Sequence, residues 1–178
     1  QRSIVFVNTK RCAEELDGYL NANGYKVAVL SGDVPQDKRQ RLLSSFQENK
    51  VNLMIATDVA ARGLHIADVS HVFNYDLPQD AEDYVHRIGR TARFGAEGEA
   101  ISFICENYAY HMPDIEDYIG EKIVVNNIEA DLLVEVTKPK KKTVHKYKPQ
   151  KKSGVQAAHN KTQHSKTTHS PTKNKPKP

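Results

Sequence analysis

Ser3-Ile4-Val5-Phe6-Val7-Asn8-Thr9, running straight into Lys10–Asn23, is the stretch that decides the fold. An unbroken apolar run of this length reads as a strand buried on both faces. Asn8-Thr9 ends it with side-chain oxygens suited to capping a helix. Across Lys10–Asn23, Ala13, Leu16 and Leu20 fall on one helical face, and Gly24 supplies the stop. The unit then repeats. Lys26–Leu30 reads as a second strand, Ser31-Gly32-Asp33 as a turn, and Gln36–Glu48 as a helix burying Leu42, Leu43 and Phe46. Asn52–Ala56 and Ser70–Asn74 are further strands and Glu99–Cys105 a fifth, followed by a last helix over Tyr108–Ile119 and a short apolar Ile123–Val125. Strands and helices alternating at this spacing predict right-handed βαβ crossovers, hence an α/β fold with a parallel sheet covered on both faces. Such sheets place their sites at the carboxyl ends of strands. The polar loops there are Asn8-Thr9, Ser31-Gly32-Asp33, Ala56-Thr57-Asp58 and Asn74-Tyr75-Asp76.

Charge divides the chain in two. Residues 138–178 hold 13 of the 26 Lys+Arg and none of the 22 Asp+Glu, so residues 1–137 carry the other 13 against 22, a net −9. The formal +4 of the whole describes neither part. Residues 1–137 are long enough for one domain with a sizeable core. From Lys138 onward the apolar pattern stops, and Lys, Thr, His, Pro, Ser and Gln dominate. The expectation there is a disordered polycationic tail that grips nucleic acid through phosphates. Its histidines (145, 159, 164, 169) lack ligand-like spacing, so no metal site is expected. Cys12 and Cys105 suggest neither a zinc site nor a disulfide framework, which fits a reducing cytoplasm. No apolar run approaches the roughly 18 residues needed to span a membrane, and no signal peptide opens the chain. Gln1-Arg2-Ser3 leads directly into a core strand, so the chain is expected to be a fragment of a longer protein.

The chemistry concentrates in Tyr84-Val85-His86-Arg87-Ile88-Gly89-Arg90-Thr91-Ala92-Arg93. Spaced i, i+4, i+7, His86, Arg90 and Arg93 would share one face of a helix opened by the acids Asp80, Glu82 and Asp83. Guanidinium groups on such a stripe suit a phosphate, being planar, permanently charged and bidentate. A solvated basic face near a helix C-terminus explains the arginines equally well, but not Gly89, which costs about 1 kcal/mol in a helix interior. A second stretch, Ala56–Ile66, sets Thr57-Asp58 after a strand and Gly63 where a close approach or an unusual backbone angle is wanted. There a hydroxyl and amides could meet an anion while the carboxylate holds an arginine, or the segment is an ordinary capped turn. A third, Gln36-x-x-Arg39, is by itself a polar helix face. No G-x-x-x-x-G-K-[ST] phosphate loop occurs, nor any acidic cluster suited to Mg²⁺. Arginines for a phosphate without a cradle to hold it make half of a composite site.

His86–Arg93 resembles motif VI of the DEAD-box RNA helicases, Ala56–Ile66 their motif V, Ile4–Thr9 their motif IV and Gln36-x-x-Arg39 their motif IVa. The four occur in the family's order across residues 4–93. The resemblance implies a second RecA-like domain of an ATP-dependent enzyme that remodels RNA. A first RecA-like domain would hold the phosphate loop, Mg²⁺ and the adenine pocket. By matching positions, Arg90 and Arg93 would be arginine fingers on the ATP γ-phosphate, and His86 and Arg87 would couple the two domains, with Asp58 anchoring Arg87. Gly63, His65 and Asp58 would lie toward the nucleotide, and Thr9, Gly32, Gln36, Arg39 and Thr57 along the RNA backbone. Two positions depart from the family: Ala92, where most members have Gly, and His65, where most place an Asp on the ATP ribose. Arg-Gly-Leu-His-Ile and Phe-Asn-Tyr-Asp-Leu-Pro are similar to the member found in the bacterial RNA degradosome, which implies the endoribonuclease RNase E as partner. A non-hydrolytic RNA-binding or partner-docking module is the alternative that the basic tail and the missing phosphate loop leave open.

Overall fold

The computed structural model describes residues 1–64, 66, 69–92 and 97–140. One compact unit spans Gln1–Lys142, and Thr143–Pro178, a second unit, lies outside the described residues. The strands are β1 (Ser3–Phe6), β2 (Val27–Leu30), β3 (Leu53–Ala56), β4 (His71–Asn74) and β5 (Glu99–Ser102). The helices are α1 (Lys10–Ala22), α2 (Gln36–Gln47), α3 (Asp58–Ala61), α4 (Ala81–Ile88) and α5 (Met112–Ile119). All strand pairs are parallel, in the order β2-β3-β1-β4-β5.

Register fixes where function can sit. Phe6 lies opposite both Ala56 and Asn74, Leu30 opposite Ala56, and Asn74 opposite Ser102. The strands therefore end in one row, and the polar loops that follow them emerge along a single edge. Side-chain alternation splits the core between the two faces. Ile4, Phe6, Leu30, Met54 and Val72 pack with Phe46 of α2, whereas Val5, Val7 and Ile55 pack with Ala13, Leu16 and Leu20 of α1. A third cluster, Leu77, Tyr84 and Ile115, joins α4 to α5. Thr9 caps α1 as expected, its Oγ1 accepting the Cys12 N–H at 3.1 Å, and Gly24 leaves the helix with φ +88°.

Three expectations are corrected. The helix predicted to carry His86, Arg90 and Arg93 ends at Ile88, with Gly89 as its C-cap. Gly89 is thus not inside a helix, and the propensity conflict disappears. Beyond it Thr91 turns inward, donating to Val69 O at 2.6 Å and Ser70 O at 3.2 Å, and Ala92 takes a left-handed φ of +53°. Gly98 seats this turn: a Cβ there would overlap Thr91 Oγ1 and come within 2.6 Å of Ala92 N. Second, β5 stops at Ser102 rather than Cys105, since it is an edge strand whose only partner, β4, has ended at Asn74. Third, the last helix begins at Met112 after a 3₁₀ turn over Ala109–His111, because Pro113 fits only the first helical turn. The domain itself extends past the expected boundary at 137. Thr137 exchanges hydrogen bonds with the Asn23 side chain, and Pro139 packs beside Gly18 of α1.

Candidate functional site

Arg87 is the largest fully buried side chain among the described residues, 1% exposed. A buried guanidinium needs a partner for every donor, and the strand-end row supplies them. Its Nε and Nη2 grip the two carboxylate oxygens of Asp58 at 2.7 and 2.6 Å, in the bidentate form that gives an arginine pair its geometric specificity. Nη1 donates to Asp76 O at 2.6 Å and Nη2 also to Asn8 Oδ1 at 2.7 Å. The Phe6 ring lies 5.2 Å from the guanidinium carbon. Asn8 is held in turn, its N–H donating to Asp76 Oδ2 and its side-chain amide to Leu77 O. One side chain thus ties together the ends of β1 and β4, the start of α3, and α4.

Arg87 and Asp58 are consequently spent on each other. Arg87 is 1% exposed, and each oxygen of Asp58 accepts one of its hydrogen bonds. The anchoring of Arg87 by Asp58 that the resemblance implied is thus present, and the pair positions the strand-end loops.

What they position is a cavity of about 420 Å³ lined by Phe6, Asp58, Arg62, His86, Arg87 and Arg90, among others. Arg90, three residues beyond Arg87 and outside the helix, is half-buried, and its Nη1 donates to Leu64 O at 3.1 Å. His86 is exposed on the last turn of α4, where Glu82 and Asp83 lie 3.7 and 3.8 Å from its ring nitrogens. Arg62 Nη2 pairs with Asp83 at 2.8 Å. Asp58 and Asp83 thus lie as counter-charges beside Arg87 and Arg62 within the chain. Arg93 and His65 lie outside the described residues.

The residues expected along RNA follow the same edge toward β2. Thr9 and Gly32 are exposed after β1 and β2, while Thr57 is buried after β3, its N–H donating to Leu30 O at 3.3 Å. Gln36 and Arg39, on the first turn of α2, line a smaller cavity of about 230 Å³ whose wall includes Leu64. Arg39 Nε is buried and, among the described residues, has no hydrogen-bond partner. Gly63 has φ +75° with open space around its Cα, so the glycine is required by the backbone angle. Among the described residues no group of three or more His, Cys, Asp or Glu gathers as a metal site. Burial, with Asp76 close by, pushes the Cys12 thiol up to about 12. Sequence reasoning missed Asn8 and Asp76 as the other holders of Arg87, and Arg62 in the cavity. The signal was a polar residue directly after each of two adjacent strands.

Residues 1–95 match the helicase conserved C-terminal domain. Structures of DEAD-box proteins share the fold: E. coli SrmB bound to regulator of ribonuclease activity A (RraA) aligns with a TM-score of 0.69 and 41% identity, over 78% of this chain and 81% of that one. This chain belongs to the helicase conserved C-terminal domain family, in its DEAD-box branch. The sheet is therefore the RecA-like sheet of that family. The ATP-dependent RNA helicase RhlB of Haemophilus influenzae (strain PittEE) is 58% identical over 139 residues, which cover 78% of this chain and 34% of that protein. The DEAD-box domain described here thus spans about a third of that relative's length. S. cerevisiae Dbp5 bound to RNA and ADP BeF3 aligns with a TM-score of 0.61 and 42% identity, over 67% of this chain and 32% of that one.

Proposed function

We propose that this domain is the ATP-coupling half of an RNA helicase and supplies an arginine finger to a nucleotide held by a partner RecA-like domain. The observation that carries the reading is the pairing of Arg87 with Arg90. The first is locked by Asp58, Asn8 and Asp76, so that the second enters an open cavity at the strand-end edge. A cation held there neutralises charge on a transferring phosphoryl group, an effect on the order of 10³–10⁵ in rate. Arg93 is assigned the same task by its motif, and His86 and Arg62 the rim that meets the partner domain. ATP would bring its Mg²⁺ with it, held mainly by that partner.

RNA runs along Thr9, Gly32, Gln36, Arg39 and Thr57. The buried, unpartnered Nε of Arg39 favours an acceptor such as a phosphate oxygen at that point. Residues 138–178 add a polycationic arm whose hold on RNA is sequence-independent and falls steeply with salt. The likeness to RhlB supports a role in bacterial RNA degradation, with RNase E as a protein partner and the cytoplasm as the place of action.

The test uses the full-length protein. Arg90→Ala should abolish RNA-stimulated ATP hydrolysis while RNA affinity stays within a few-fold. Undiminished hydrolysis in that variant would sink the finger assignment, and stimulation by DNA equal to that by RNA would sink the substrate class.

A further inference from the structure

The cavity beside α2 differs in charge from the cavity of Arg87 and Arg90. Gln36, Gln40 and Gln47 line it together with Ser44, and its apolar part is Leu43 and Leu64. Arg39 is the one charged group in the lining, and no carboxylate joins it, whereas Asp58, Glu82 and Asp83 all line the other. Positions 36, 40, 43 and 47 follow i, i+4, i+7, i+11, so a single face of α2 forms one wall. That wall begins at the strand-end edge, where the RNA track is placed, and leads away from it. Leu64 forms the opposite wall. It follows Gly63 at φ +75°, and its carbonyl accepts the Ile66 N–H at 2.9 Å and Arg90 Nη1 at 3.1 Å. Leu43 and Leu64 both pack on the core cluster of Ile4, Phe46 and Met54, so the apolar side of the cavity is anchored.

Size and chemistry narrow the ligand. At about 230 Å³ the space falls below the roughly 300–1,000 Å³ of a site for a drug-sized molecule, and suits one ring system. A phosphate group is best met by several charged donors, and the lining offers one cation. A purely apolar group would take water from three amides and a hydroxyl without replacing its hydrogen bonds. A nucleobase answers both objections. Its faces can cover Leu43 and Leu64, and its edge sets donors and acceptors side by side, as each glutamine amide does. Arg39 stands on the strand-end side, and its buried Nε has no hydrogen-bond partner among the described residues. A backbone phosphate received there would bring the attached base to the cavity.

We propose that this cavity takes one unstacked base of the bound RNA strand, next to the phosphate received by Arg39. The proposal rests on the RNA reading above and adds a base contact to a track of backbone contacts. Because an amide presents an oxygen acceptor and an N–H donor and can turn either way, the cavity accepts any of the four bases and does not read sequence.

An abasic scan with the full-length protein tests it. A single-stranded RNA is trimmed to the shortest length that keeps full affinity, which fixes its register. One base at a time is then removed while the sugar and phosphate stay. Removal at one position should weaken binding about fivefold or more, the worth of a single hydrogen bond, and removal elsewhere by about twofold or less. Exchanging that base for any other should matter less than removing it. Gln40→Ala/Gln47→Ala should lower affinity for the intact RNA by the same factor and abolish the sensitivity to base removal. Both side chains are exposed on a helix, where alanine is favourable, so the fold is kept. Three results overturn the proposal: base removal tolerated at every position; a sensitive position that stays sensitive in the double variant; or intact RNA bound by that variant as tightly as by the parent. Failure of the RNA reading itself looks different, because intact RNA would then neither bind nor stimulate ATP hydrolysis.

Discussion

Arg87 and Arg90 stand three residues apart in one motif and live in opposite environments. Arg87 is 1% exposed, with four hydrogen bonds of 2.6–2.7 Å to three residues. Arg90 is half-buried, borders the open cavity and holds Leu64 O by a longer bond of 3.1 Å. The difference teaches that a run of cations is not one functional unit. The fold consumes one arginine to build the platform and leaves another at its rim.

Removing the two should therefore have very different costs. Arg87→Ala leaves Asp58 facing an empty, largely buried site, and urea unfolding of the domain should show a loss of about 3–5 kcal/mol, the range for breaking a buried pair. Gly98→Ala probes the turn just beyond Arg90. The added methyl must displace Thr91 or the backbone of Ala92, and overpacking of this kind costs about 1–3 kcal/mol, readable as a lower melting temperature. Arg90→Ala forfeits its bond to Leu64 O and should cost about 1 kcal/mol or less in the same unfolding assay. A loss as large as that of Arg87→Ala would erase the distinction between platform and rim.

The smallest effect lies away from both. The Lys122 ammonium, helped by the Ile123 N–H, holds the Glu116 carboxyl below its ordinary value near 4.5. The folded chain thus binds that proton more weakly than the unfolded one. The contribution is complete above the ordinary value and is lost as pH falls through the lowered one. Glu116→Gln should flatten the acid limb of a stability–pH curve below about pH 4.5 and leave the neutral limb parallel to the parent.

Much of the fold was legible because burial on both faces writes strands as unbroken apolar runs. Ile4–Val7 and Met54–Ala56 could be placed without knowing their neighbours. The end of α4 could not. His86, Arg90 and Arg93 obey helical spacing, and what stops the helix is the pull of Thr91 on Val69 and Ser70, some twenty positions upstream, together with the seat provided by Gly98. β5 was overextended for a related reason: Phe103-Ile104 continue its apolar pattern, but β4 has no residue left to pair with them. At the site, residue types and loops were readable, while the commitment of Arg87 to Asn8, Asp58 and Asp76 depends on distances that spacing along the chain does not encode.

The ties of Arg87 also set how the domain comes apart. Segments sewn together by one side chain cannot open singly, because each opening would strand the same guanidinium in an apolar surrounding. The amides of Asn8, Arg87 and the first turn of α3 should accordingly exchange with solvent as one cooperative unit, at a rate tied to global unfolding. The turn at Thr91-Ala92 lies outside that stitch and is held by a separate set of contacts, Thr91 on Val69 and Ser70 and the seat at Gly98, so platform and rim are moored to the sheet independently.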